Sequence, residues 1–547
     1  MEKLLSKEIV SFLINKEIDI AKKIRKDNRV SKSSNEAYAF IISVLRKTIS
    51  ESITESKLKE IIFDGKDECG FDVINITPRR IEIYDFKDTN SSFSEHEVYP
   101  FLEKILNFIF KEETLPSKMS FLVKNRIKQI IKIIDSKKIK VRIYFVRNGF
   151  NNPEDWLIAG ANKKIKKENI EIKYINQKDI ISDVYENNQV QDLEFNFNVD
   201  KNNLEDYFLY KHSKILITRV NIKYLLKGLV KESNLKNYNL YHDNVRGFLG
   251  KKEPSKGMLV TIKDYKKDFH LFHNGITLAC QKIKNVRVLG GSFAVTNPQV
   301  LNGCQTLETL YEKYLDNLDD KLLEEASILC RFFVLDSKKA LKVCQSSNTQ
   351  NKIDSWELRS NDKEQKLIEY YLNNTLKQNF EYKRKSGKSK SGNVSLPELG
   401  QWLYAAIFEK PAEAKNKKTE IFQIDIDKSI YEQIYQTSKV KPVDLIRICE
   451  IGVFLKKAKK EKEVIKRTEI KGLDKETELS LIRSADFHIL SSFYYTKNKL
   501  NDENLQALVN KIYKVVKKIQ KEKEGDYDIK RIFTQDLTTW SKIKKIL

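Results

Sequence analysis

The stretch from Asp72 to Lys87 limits the fold more tightly than any other part of the chain. It reads Asp72-Val73-Ile74-Asn75-Ile76, then Thr77-Pro78-Arg79-Arg80, then Ile81-Glu82-Ile83-Tyr84-Asp85-Phe86-Lys87. Two short apolar runs around a proline-containing turn predict a β-hairpin. Side chains alternate along a strand, so Ile83, Asp85 and Lys87 share one face and Glu82 takes the other. The turn returns Asp72 toward Asp85 and Lys87. Two carboxylates beside a lysine suit a hard cation, Mg²⁺ or Mn²⁺, with Asp72 and Asp85 as its ligands. The lysine could hold or deprotonate an attacking water, as metal-assisted phosphodiester cleavage requires. The same residues also fit a solvated hairpin with charged edges, and the motif alone leaves both readings open.

The pattern resembles the PD-(D/E)xK nuclease superfamily, with Asp72 as the first acid and Asp85-Phe86-Lys87 as the (D/E)xK element. The flanking order agrees. A helix-like stretch (Phe101, Leu102, Ile105, Leu106, Ile109) leads to a strand, Ile139 to Val146. A second helix, Trp156 to Lys167, leads to a strand, Ile170 to Ile175. The resemblance implies a restriction-endonuclease-like mixed sheet flanked by helices and a Mg²⁺-dependent endonuclease. Asp72, Asp85 and Lys87 would be catalytic. Such nucleases often carry an acid on the helix before the core sheet, which here would be Glu36. Ser33 followed by Glu36 is equally a capping box, which would tie Glu36 to its own helix.

Composition bears on partners. Lys+Arg total 100 against 76 Asp+Glu, a net charge of +24. That balance favours polyanions, nucleic acid first and DNA ahead of RNA. A chain rich in Lys, Ile and Asn can also carry lysines that only solvate helices. The six cysteines include no CxxC pair and read as reduced thiols. No apolar run reaches the roughly 18–20 residues of a membrane span, and the N-terminus lacks a signal-peptide core. A cytoplasmic protein without a membrane partner is expected.

With 547 residues the chain has room for about three domains. The expected class is mixed α+β: a nuclease-like part over residues 1–190, an α+β part over 191–422 and a helical part over 423–547. In the middle part, strand-like runs (Ile215 to Val220, Met258 to Ile262, Phe269 to Thr277, Ile328 to Leu335) alternate with helices and Asn/Gly turns. The basic tract Tyr382 to Gly392 is either a loop touching phosphates or a plain insert. In the last part, Leu505, Leu508, Val509, Ile512, Val515, Val516 and Ile519 recur at three-and-four spacing, a core stripe or a homodimer interface.

Four motifs mark the middle part: Asn244-Val245-Arg246 with Gly250, Phe272-His273-Asn274-Gly275-Ile276-Thr277, Asn297 to Thr306, and Ser347 to Ile353 followed by Arg359, Asp362 and Gln365. Together they resemble the AIPR family, named for abortive infection and phage resistance, over about residues 215 to 420. His273 stands where that family has Asn, Thr349 where Ser is common and Leu301 where Val is common. Family members often carry a PD-(D/E)xK-like N-terminus, and many have Gln at the position of Asp85. Asn and Gln both donate and accept, and Gly lets a ligand approach the backbone. The candidate ligand-binding residues are therefore Asn244, Arg246, Asn274, Gly275, Asn302, Gly303, Gln305, Thr306, Asn348, Asn351, Arg359, Asp362 and Gln365. Of these, Asn274, Asn302, Gln305, Thr306, Asn348 and Gln365 would line one pocket, with a nucleotide or a phage-derived trigger as its ligand. Amide side chains knitting separate turns is the plainer alternative. The reading is an anti-phage effector with a metal-dependent nuclease. Its rivals are a non-cleaving nucleic-acid-binding protein with a degenerate nuclease fold and a nucleotide-sensing regulator.

Overall fold

The computed structural model describes the chain apart from residues 28–33, 64–69, 88–92, 112, 137–138, 166–168, 186–191, 197–209, 213, 230–252, 288–291, 316–322, 324, 337–338, 341–342, 344–353, 376–377, 386–392, 424–428, 461–474 and 524–527. It is mixed α and β, and the chain divides into two compact units, Glu2–Glu186 and Asn187–Leu547, the latter joined by Met1.

The first unit is a four-stranded sheet between helical layers. Its helices are α1 (Glu2–Asp27), α2 (Asn35–Thr48), α3 (Glu55–Ile61), α4 (Glu95–Ile105), α5 (Phe121–Ser136) and α6 (Asp155–Lys164). Its strands β1 (Val73–Ile76), β2 (Arg80–Lys87), β3 (Lys140–Arg147) and β4 (Ile170–Ile175) lie side by side in that order. β1 and β2 are antiparallel, whereas β2–β3 and β3–β4 are parallel, as crossovers through helices require. The Thr77 hydroxyl closes the hairpin turn by donating to the Arg80 carbonyl at 2.8 Å and accepting from the Arg80 N–H at 3.1 Å.

One face of this sheet carries Ile74, Ile81, Ile83, Val141, Ile143 and Phe145. They pack against Val98, Phe101, Leu102 and Ile105 of α4, Val123, Ile127 and Ile130 of α5, and Leu157 of α6. On the opposite face the Phe86 ring meets Phe40 of α2 edge-on at 5.9 Å. The Tyr84 hydroxyl donates to Thr48 at 3.2 Å. α2 therefore begins toward the Lys87 end of β2. Its N-cap is Ser34, whose side chain accepts from the Ala37 N–H, one residue later than the expected Ser33, which lies outside the described residues.

The second unit holds β5 (Asp192–Asn196), β6 (Tyr210–His212), β7 (Ile215–Asn221), β8 (Ile276–Cys280), β9 (Lys282–Arg287), β10 (Ser292–Thr296), β11 (Gln299–Asn302) and β12 (Ser327–Val334). They form a five-stranded sheet, β11-β8-β12-β7-β6, and a three-stranded one, β5-β10-β9. Met258 to Ile262, expected as a strand, belongs to a helix, Glu253–Asp264. Met258 and Ile262 are four apart, a spacing that serves a helix face as well as a strand face, and Ile262 is buried in the core.

Helices follow from Leu396. The stripe from Leu505 to Ile519 lies buried on the helix Asp502–Glu522. His488 is also buried, its ring edge-on to Phe533 at 5.0 Å. No described helix is long and apolar enough to cross a membrane.

His488 links stability to pH. Burial, helped by the Lys415 charge, pushes its imidazole down from 6.5 to about 3. The unfolded chain therefore binds the extra proton between those values, so this group's contribution is complete above pH 6.5 and is lost as pH falls toward about 3. Chemical denaturation across that range is expected to give a shallower pH slope for His488→Phe than for the parent.

Candidate active site and the central motifs

The β1–β2 ladder sets Val73 opposite Tyr84 and Asn75 opposite Glu82. Carried one residue further, this register puts Asp72 opposite Asp85, and residues directly opposite share a face. Asp72, Asp85 and Lys87 thus stand on the face of the sheet that α4 covers. Both aspartates are buried and Lys87 is exposed at the strand end. Oδ2 of Asp72 accepts from the Phe86 N–H at 2.6 Å. It closes the ladder where β1 has ended and is held against β2, one residue from Asp85.

Asp85 has a partner that the hairpin alone does not reveal. Its Oδ2 lies 2.8 Å from Nη2 of Arg147, the last residue of β3, which has no exposed surface. The same Nη2 is 3.2 Å from Oε2 of Glu97 in the first turn of α4. Arg147 also donates to the main-chain carbonyls of Val146 at 2.9 Å and Asp85 at 3.3 Å, and its guanidinium sits 5.6 Å from the centre of the Phe93 ring. The Asp85–Arg147 approach has ion-pair distance without hydrogen-bond alignment, so Asp85 Oδ2 is a buried oxygen that accepts no hydrogen bond. Lys87 and Arg147 face each other across the parallel β2–β3 pairing. Sequence reasoning missed Arg147 and Glu97. A charged residue ending the apolar run Val141 to Val146, in step with Lys87, is the signal that marks Arg147.

Glu36 is exposed on α2, the helix that covers the opposite face of the sheet. Its own main-chain N–H and the Ser34 hydroxyl hold its carboxyl below the ordinary range. The capping role is thus the one with observed partners, and nothing joins Glu36 to the aspartates. Among the described residues, no group of three His, Cys, Asp or Glu could hold a metal ion. Of the hairpin's three carboxylates, Asp72 and Asp85 stand on the face that α4 covers and Glu82 on the other.

Glu82 does lie on the opposite face, as alternation requires, but it is fully buried rather than solvated. Nδ2 of Asn75 donates to it at 2.8 Å, and Nε of Arg80 lies 2.7 Å away.

The central motifs resolve into local structures. Gly275 has φ +78° and Gly303 φ +101°, values that side chains rarely adopt. A Cβ at Gly275 would fall 2.4 Å from the Leu329 carbonyl oxygen, and one at Gly303 would fall 2.9 Å from Ile276. Both glycines are accounted for by the chain's own packing rather than by a ligand's approach. His273 joins the two motifs. Its Nδ1 accepts from the Gly275 N–H at 3.0 Å, which leaves Nε2 as the protonated nitrogen facing the Thr306 hydroxyl at 2.9 Å. Burial lowers its tendency to charge. Asn274 is exposed, and its carbonyl accepts from Arg331 at 3.0 Å. Asn302 is half-buried at the end of β11.

Gln365, expected among the ligand-binding residues, lies in the core between two tyrosines. It has no exposed surface, donates to Tyr431 at 3.1 Å and accepts from Tyr382 at 2.7 Å. Arg359 stacks 4.4 Å from the Tyr431 ring centre and lies 3.5 Å from Asp362. Burial pushes the Asp362 carboxyl up to about 6. Arg359, Asp362 and Gln365 thus gather around Tyr431, and His273 ties Gly275 to Thr306. Asn244, Arg246, Asn348, Asn351 and the side chain of Gln305 lie outside the described residues. A cavity of about 610 Å³ lined by Lys214, Ile215, Gln281, Phe333, Val334, Leu335, Asp336, Lys339 and Val343 contains none of the expected site residues.

The family model described as AIPR protein matches residues 241–545, more than half of the 547-residue chain, so the chain belongs to the AIPR family. The match runs through the helical region, beyond the motifs that end near residue 420. No curated protein and no solved structure matches the chain.

Glu82→Ala is expected to lower unfolding free energy by about 1–3 kcal/mol, because it leaves the Asn75 amide buried without its acceptor. Glu82→Gln, which keeps an acceptor, should cost less. Denaturant titration of the two variants beside the parent makes the comparison.

Proposed function

We propose that this AIPR-family protein serves abortive-infection defence against phage, and that its N-terminal unit cleaves phosphodiester bonds of nucleic acid, DNA ahead of RNA, in the cytoplasm. Membership of the family supports the defence role. The single observation that carries the nuclease reading is the shared face of Asp72, Asp85 and Lys87 at the end of β2. The order hairpin, helix, strand, helix, strand supports it further, since this is the order that resembles the PD-(D/E)xK core.

The donor set fits Mg²⁺ or Mn²⁺ in kind. Asp72 and Asp85 offer hard oxygen ligands, and Mg²⁺ commonly takes one or two carboxylates and completes its shell with water. Asp85 Oδ2, buried without a hydrogen bond, is an oxygen with capacity to spare. Such an ion, when bound, supplies Lewis-acid polarisation of a phosphoryl oxygen and acidifies water. The residues contribute the rest. The Phe86 N–H fixes the Asp72 carboxylate. Exposed Lys87 stands where it can meet a substrate phosphate and offset the charge that grows in the transition state.

A second reading has its own observation. Arg147 already neutralises Asp85, which favours a degenerate site that grips nucleic acid without cutting it. Cleavage of labelled DNA and RNA with and without Mg²⁺ separates the two. Asp85→Asn and Lys87→Ala should each lower metal-dependent cleavage by about 100-fold or more. Equal rates in Asp85→Asn and the parent would defeat the nuclease reading.

Both readings predict that nucleic-acid affinity falls steeply with salt, because a chain of net charge +24 would release counterions from the phosphates it contacts. Affinity that stays flat from about 50 to 200 mM salt would assign the lysines to solubility alone.

A further inference from the structure

The geometry points to Arg147 as a positioning residue that serves as the built-in counter-ion of Asp85 and yields to a divalent cation by shifting its charge onto Glu97. This inference rests on the reading of Asp72 and Asp85 as a divalent-cation site. Arg147 has two kinds of contact. Main-chain carbonyls of Val146 and Asp85, at 2.9 and 3.3 Å, fix where its side chain lies. Two carboxylates share its charge: Asp85 lies 2.8 Å from Nη2, and Glu97 lies 3.2 Å from Nη2 and accepts from Nε at 3.3 Å.

The two carboxylates differ in surroundings. The Asp85 side chain is 7% exposed and that of Glu97 is 33% exposed. A charge buried as deeply as that of Asp85 is costly without a partner of opposite sign. Arg147 supplies the charge but leaves the oxygen without a hydrogen bond. A cation that coordinates the oxygen meets both needs. The guanidinium then keeps a partner in Glu97, so it need not leave the protein when Asp85 changes partner. A second acid on the same guanidinium, already hydrogen-bonded to its Nε, is what makes the exchange feasible, and its cost is a lower affinity for the divalent ion.

The test is Mn²⁺ binding to the purified full chain, read from the electron paramagnetic resonance signal of free Mn²⁺. Arg147→Met should bind about tenfold tighter than the parent, the scale on which a nearby charge shifts an ionic equilibrium. Arg147→Lys, which keeps the charge, should stay near the parent. Glu97→Gln should bind several-fold more weakly, and this loss should shrink when Arg147 is already Met. All of these differences should vanish in an Asp85→Asn background. Equal affinity in Arg147→Met and the parent, or a gain that survives Asp85→Asn, overturns the inference. If Arg147→Met does not fold, Glu97→Gln decides, and unchanged affinity there overturns it. A parent that cleaves with Mg²⁺ while the variants bind Mn²⁺ alike leaves the nuclease reading standing without the exchange. If neither the parent nor Arg147→Met binds Mn²⁺, both fail.

Discussion

One register governs the N-terminal unit: Val73 opposite Tyr84. The side-chain period of a strand is two, so a slip of a single residue would exchange the faces of the hairpin. Ile74, Ile81 and Ile83 would leave the core under α4 and α5, and Glu82 and Tyr84 would enter it. The Thr77–Arg80 turn pins the register from one end. The parallel pairing of β2 with β3, unbroken from Arg80 to Lys87, pins it along the whole strand. The demand of the apolar core and the placement of Asp72, Asp85 and Lys87 are therefore one constraint. No substitution that shifts the isoleucines can leave the aspartates where they are.

β2 carries a buried acid on each face, and each lies against an arginine. Glu82 receives a hydrogen bond from Asn75 and an ion pair from Arg80. Oδ2 of Asp85 has the charge of Arg147 and no hydrogen bond, and Oε1 of Glu82 has the charge of Arg80 and none either. Buried ion pairs add little net stability compared with apolar side chains of the same size, although breaking one is costly. Stability alone thus does not account for an aspartate where isoleucine would pack. Each acid thus keeps one buried oxygen that only an arginine charge faces, Oε1 of Glu82 beside Arg80 and Oδ2 of Asp85 beside Arg147, and of the two only Asp85 shares its face with Asp72 and Lys87. Asp72 accepts from the Phe86 N–H through Oδ2.

Alternation and turn chemistry made the hairpin, its faces and the order of β1 to β4 legible in the sequence, because those signals lie within about ten residues of one another. Arg147 was not legible as the partner of Asp85. The two are 62 residues apart and meet only because β2 and β3 pair in parallel through a crossover. Met258 to Ile262 misled for another reason, since a short apolar run has no period of its own. The central glycines were legible as special positions, but the reason was not. Sequence suggests room for a ligand, whereas Leu329 and Ile276 occupy the space beside Gly275 and Gly303. Gln365 shows the same ambiguity, because an amide suits a binding site or a buried tyrosine cluster equally well until its neighbours are known.

The family match begins at residue 241, and the hairpin ends at Lys87. Everything that identifies the family therefore lies outside the unit that carries Asp72 and Asp85, and that unit has a hydrophobic core of its own. Family membership and phosphodiester chemistry are in this way independent claims with independent supports. The first rests on residues 241–545. The second rests on the pairing of four strands and on the charges at one end of them. Within the second, the balance turns on Arg147. On the proposal that Asp85 binds a metal ion, the buried guanidinium beside it is either the remnant that replaced a lost ion or the counter-charge that holds the site until an ion arrives. Glu97 is what separates these cases. A replacement for a lost ion needs only Asp85 as its partner, whereas a counter-charge that must yield needs a second acid within reach, and Arg147 has one at 3.2 Å.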